Sequence, residues 1–65
     1  MTLYQQRMAH SRKLMEWHRE ELAKAAVEED SKDRDKYIAK AAQYLEDSVW
    51  WERHAIIFAD KGEIE

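Results

Sequence analysis

Glu28-Glu29-Asp30-Ser31-Lys32-Asp33-Arg34-Asp35 is the stretch on which the fold of this chain turns. It holds no apolar residue, and the apolar register on one side does not continue on the other. Before it, a 3-4 spacing runs Met1, Tyr4, Met8, Ser11, Met15, His18, Leu22, Ala25. Leu14 and Ala26 widen that line to the ~100° stripe of a core-facing helix. Extended onward, the same register meets Glu29, Lys32, Lys36, Ala39, Gln43 and Glu46, and the apolar face is lost. A second face opens in a new phase at Tyr37, Ala41, Tyr44, Ser48, Trp51, Ala55 and Phe58, flanked by Ile38, Ala42, Leu45, Val49, Ile56 and Ala59. A phase change across an all-polar segment reads as a chain reversal. One continuous helix in an extended coiled coil is the alternative, because the turn contains no glycine.

The end signals agree with two helices. Thr2 and Gln5 have the spacing of a capping box. Glu28, Glu29 and Asp30 oppose the macrodipole at the end of a first helix, whereas Asp33 and Asp35 suit the first turn of a second. Asp30 or Ser31 serves as its N-cap. Lys61-Gly62 is a stop signal. Helix 1 is thus expected over about 3–28, the acidic turn over about 29–31, helix 2 over about 32–60 and a frayed tail over 61–65. At 1.5 Å per residue each helix is roughly 40 Å long. Equal lengths and a short connection make an antiparallel αα-hairpin, one domain spanning 1–65.

Composition narrows the class further. Proline and cysteine are absent and Gly62 is the one glycine, so a β-fold lacks its turn residues. Disulfides and thiolate metal sites are excluded. Of 65 residues 45% are hydrophobic, but nine of those are alanine, which leaves a thin core. Small folds compensate with disulfides, metals or self-association, and the last is what remains. The longest apolar run is Ala55–Ala59, so neither a signal-peptide core nor a membrane span is expected, and a cytoplasmic location is.

A lone hairpin buries one stripe per helix. Helix 1 carries a second line at Leu3, His10, Leu14 and Trp17, and helix 2 is apolar on most sides from Val49 to Ala59. A homodimeric four-helix bundle would cover that surface. Met8, Met15, His18, Leu22, Tyr37, Tyr44, Leu45 and Phe58 are the expected core or dimer-packing residues. In outline the chain resembles the small plasmid RNA-regulatory Rop family, with two similar helices, an acidic turn and a short acidic tail. The resemblance is one of architecture and length. It implies a dimeric bundle and carries over no binding residue, since aromatic layers stand here in place of alanine and leucine layers.

Chemical motifs are sparse. Carboxylate-bridged metal bundles use an inward Glu-x-x-His, and this chain has the reversed order in His18 and Glu21. His18 reads as a packed core or interface histidine. There is no glycine-rich phosphate loop, and Ser11, Ser31 and Ser48 have no base at a recognisable spacing. The expectation is a non-enzymatic protein with no cofactor and no bound metal.

Charge runs along the hairpin. Residues 1–15 hold Arg7, Arg12 and Lys13 and no acid, while the net charge of the whole chain is −3. A reversal near residue 30 gathers these cations with Trp50, Trp51, Arg53, Ile57 and Phe58 at the open end. Tryptophan and arginine together mark protein-binding hot spots, so Trp17, Trp50, Trp51, Arg53 and Ile57 are the candidate protein contacts. Another protein is the expected partner, beside a second copy of the chain. The role would be that of a regulator, adaptor or inhibitor, in the style of phage- or plasmid-encoded chains. The alternative is a Rop-like RNA- or DNA-binding regulator with Arg7, Arg12, Lys13 and Arg19 on phosphates. The acidic balance opposes it, because sequence-independent nucleic-acid binding depends on cationic surface.

Overall fold

The computed structural model describes residues 2–60, with the side chain of Asp60 excepted. Two helices, α1 (Leu3–Val27) and α2 (Ser31–Asp60), pack against each other as an antiparallel hairpin. Met1, the Lys61-Gly62 stop and the tail over 61–65 lie outside the described residues.

The capping box closes as its spacing requires. Thr2 is extended, its Oγ1 accepts from the Gln5 amide at 3.1 Å, and its own amide donates to Gln5 Oε1 at 2.9 Å. The chain reverses without glycine because Glu28 leaves α1 in an extended conformation (φ −83°, ψ 125°) instead of a left-handed one. Its carboxylate accepts the Asp30 amide at 3.1 Å. Asp30 then caps α2, its Oδ1 accepting the Asp33 amide at 3.0 Å. The acidic residues of the turn thereby satisfy backbone donors that a glycine turn would leave to other groups.

The seam between the helices is narrow and partly polar. Ser11 and Ser48 are both buried and bond reciprocally: Ser11 Oγ donates to the Ser48 carbonyl at 2.8 Å, and Ser48 Oγ donates to the Ser11 carbonyl at 2.9 Å. Two turns nearer the loop, His18 Nδ1 stands 2.6 Å from the Ala41 carbonyl. A carbonyl only accepts, so Nδ1 carries the proton. Ala25, Ala41 and Ala55 fill the remaining close approaches.

On α2 the seam is the expected Tyr37, Ala41, Tyr44, Ser48, Trp51, Ala55, Phe58 line, every member buried or half-buried. On α1 the buried positions are Ser11, Leu14, Glu21 and Ala25, with His18 half-buried between them. Met15 is half-buried beside this line, and Leu22 is exposed, as is Leu45 on α2. The roll of α1 is fixed by the serine pair and the His18 bond. Those anchors turn Leu14 and Glu21 inward in place of Met15 and Leu22.

The result is a single layer of helices measuring 48 × 17 × 9 Å. Its buried apolar residues are Leu14 and three alanines, and among the described residues no large side chain is fully enclosed. A domain normally stacks at least two layers around its core.

Candidate protein-binding surface

The two helices run level where Ser11 meets Ser48 and His18 meets Ala41. At about 100° per residue, positions just before a seam residue roll to one side of their helix and positions just after it to the other. Because the helices are antiparallel, the same sense of roll brings both chains to the same broad face. Ring contacts identify the first face. His10 meets Trp51 edge-on at 4.7 Å between centroids, and Trp17 meets Tyr44 at 5.6 Å.

This aromatic face continues around the outer edge of α2. Trp51 contacts Trp50 edge-on at 5.1 Å. Trp50 stacks on His54 at 3.8 Å and 19° between planes, and His54 meets Phe58 at 5.9 Å. His54 Nδ1 donates to the Trp50 carbonyl at 2.9 Å, which pins the imidazole under the indole. Trp50 remains 49% exposed. Arg53 and Ile57 follow it at i+3 and i+7, both exposed, on the outer edge of the same helix. Of the five residues picked out for protein contact, Trp50, Arg53 and Ile57 therefore share one edge, and Trp51 joins them through its ring. Trp17 stands apart, about two turns nearer the loop, on Tyr44.

The four cations named as possible phosphate contacts do not share one face. Arg7 lies over the Phe58 ring, 4.2 Å from its centroid. Lys13 pairs with Glu16 at 3.6 Å on the exposed surface. Arg12 and Arg19 follow the seam positions Ser11 and His18, so they roll to the face opposite the rings.

Glu21 is the buried residue that the apolar register passes over, although its place in the seam follows from the 3-4 line Ser11, Leu14, His18, Glu21, Ala25. It is 6% exposed; Oε1 takes a 3.3 Å bond from Lys24, and Oε2 is buried with no donor. A carboxylate oxygen kept from water without a partner is a cost to the fold. Glu21→Leu should therefore stabilise the hairpin by about 1–2 kcal/mol, read as a rise of roughly 5–10 °C in thermal midpoint by circular dichroism. A fall in midpoint would mean the carboxylate serves the fold. Among the described residues no three His, Cys, Asp or Glu side chains gather in a group able to hold a metal ion. No described helix is long and apolar enough to cross a membrane.

Compared with protein-family models, with curated proteins and with solved structures, the chain matches none.

Proposed function

We propose that this chain is a non-enzymatic protein–protein interaction module: a small cytoplasmic regulator, adaptor or inhibitor, phage- or plasmid-encoded in style, that acts as a homodimer of helical hairpins. The observation that carries the reading is the edge of α2 at Trp50. An indole half open to solvent is held in one orientation by a stacked His54 and an edge-on Trp51. A pre-oriented aromatic loses little conformational freedom on binding, and Trp and Arg are among the residues enriched in interface hot spots. Ile57 extends the anchor by two turns along the helix. The dispersal of Arg7, Arg12, Lys13 and Arg19 supports protein over nucleic acid as the partner, because no one patch presents all four to phosphates.

The test is capture from a lysate of the source cells by immobilised wild type and by Trp50→Ala. The expected result is one partner retained at moderate salt by the wild type. Trp50→Ala should bind it at least about thirtyfold more weakly while keeping its helicity, as befits a hot-spot anchor. Loss of helicity in Trp50→Ala would assign that ring to the fold and end the proposal. So would a gel shift with RNA or duplex DNA that weakens steeply with salt and disappears in Arg12→Glu.

A further inference from the structure

The face opposite the rings carries a pattern that neither the seam nor the Trp50 edge uses. On α1 the positions just after each seam residue are Met8, Arg12, Met15, Arg19, Leu22 and Ala26. On α2 they are Ile38, Ala42, Leu45, Val49, Glu52 and Ile56. Both run in strict alternation of three and four, which is the spacing of a helix seam. Leu22, Ile38, Leu45, Val49 and Ile56 are all between 38 and 47% exposed, so the hairpin itself does not cover them.

We infer that this aliphatic face is the dimer interface. Its occupant is a second copy of the chain turned half a revolution about the long axis of the hairpin. In that arrangement the two acidic turns lie at the same end and α1 of each copy rests on α2 of the other. The inference rests on the dimeric half of the function proposed above and meets the Trp50 edge only at Arg53, which borders both surfaces.

Area is the first argument. A face of 48 by 17 Å spans on the order of 800 Å², which is what each partner contributes to a standard stable interface. A second 9 Å layer also supplies the core that one layer lacks.

Shape is the second. Val49, Glu52, Arg53 and Ile56 enclose a depression of about 310 Å³. These four stand at i, i+3, i+4 and i+7, the four-residue hole that accepts a knob from a facing helix. Levels in the hairpin pair Ser11 with Ser48 and His18 with Ala41. A half-turn about the long axis preserves them, so the side chain that arrives over the hole is Met8 of the second copy. By the same levels Met15 meets Leu45 and Leu22 meets Ile38, each across the interface.

Charge sets the direction. The stripes contain Arg12, Arg19 and one carboxylate, Glu52. With the turns together, Arg12 of each copy stands about one and a half helical turns along from Glu52 of the other, a span that the long arginine side chain can cross. With the turns at opposite ends, α1 would lie on α1 and bring Arg12 and Arg19 of both copies onto one strip without an acid. Crowding Glu28, Glu29 and Asp30 of both copies at one end costs less. Glu29 and Asp30 face solvent and Glu28 is half-buried at the turn, where salt screens them over about 8 Å.

Three measurements test this. Light scattering should give twice the 7.9 kDa chain mass, and Leu45→Asp should halve it while helicity stays, since Leu45 lies outside the seam. Arg12→Glu and Glu52→Arg should each weaken the dimer about tenfold, and the two together should restore it to within about threefold. The chain has no cysteine, so Glu29→Cys introduces a single thiol in the turn. A flexible bis-maleimide should cross-link the dimer through it, whereas turns at opposite ends would stand nearly the 48 Å length apart. A monomeric wild type, a dimer indifferent to Leu45→Asp, an uncompensated charge swap or a dimer that does not cross-link would each overturn the inference. None of these outcomes bears on capture through Trp50, which is measured separately.

Discussion

Ala41→Leu should lower the thermal midpoint of the hairpin by roughly 10–25 °C. Ala41 is 1% exposed, and its carbonyl takes the 2.6 Å bond from His18. The helices approach closely there because an alanine faces a ring that reaches past it to the backbone. A leucine side chain has no room in that gap without pushing the helices apart. Overpacking of this kind costs about 1–3 kcal/mol. Separation would also stretch the His18 bond, which is worth about 1 kcal/mol. A chain of 65 residues has only about 3–10 kcal/mol in total, so the sum removes a large share of it. Circular dichroism melts of both proteins at one concentration decide the matter. A drop below about 5 °C would show that the seam is loose enough to absorb the added carbons, and that small residues do not set the helix spacing.

The part of the structure that the sequence predicted well is the part in which one physical effect dominates. The reversal at Glu28–Asp30 was legible because an all-polar segment cannot continue a buried stripe, whatever its backbone does. The missing glycine was the one contrary signal. It was answered by Glu28 turning extended and by carboxylates accepting the Asp30 and Asp33 amides. The α2 seam was legible because its large and small residues alternate at one phase from Tyr37 to Phe58.

The roll of α1 was legible only in part. The apolar stripe already contains the seam residues Ser11, Leu14, His18 and Ala25, but it is wide enough to hold Met8, Met15 and Leu22 as well, and hydrophobicity alone favours turning those inward. Hydrogen bonds chose the side of Ser11 and His18. Ser11 and His18 each find a backbone carbonyl on α2 only if α1 rolls that way, and Glu21 is carried inward as a consequence. Polar groups shut from water must be paired, and that requirement outranks the placement of methionine. The same roll explains why so much aliphatic surface is left over. Leu22 and Leu45 are displaced from the seam together, and they land on one face of the molecule.

Adjacent tryptophans separate these two roles, so Trp51→Ala and Trp50→Ala should have unequal consequences. Trp51 belongs to the α2 seam, is half-buried, and packs edge-on against His10 of α1 at 4.7 Å. Removing it deletes one of two rings that join the helices toward the open end, the other being Phe58 under Arg7. The expected loss is about 2–3 kcal/mol, toward the low side for a tryptophan because its site is incompletely enclosed. Trp50 makes its ring contacts with Trp51 and His54, both on its own helix. Its removal forfeits one stacked and one edge-on pair, about 1 kcal/mol, and leaves the junction between α1 and α2 in place. Denaturant unfolding of the two variants at equal concentration measures the difference. The ordering matters more than either value. If Trp50→Ala proves the more damaging, the outer indole is holding the fold together, and the α2 edge loses its claim as a binding surface. If the expected order holds, a ring half exposed to water and nearly dispensable to stability needs another reason to be held so firmly against His54, and a partner that receives it supplies one.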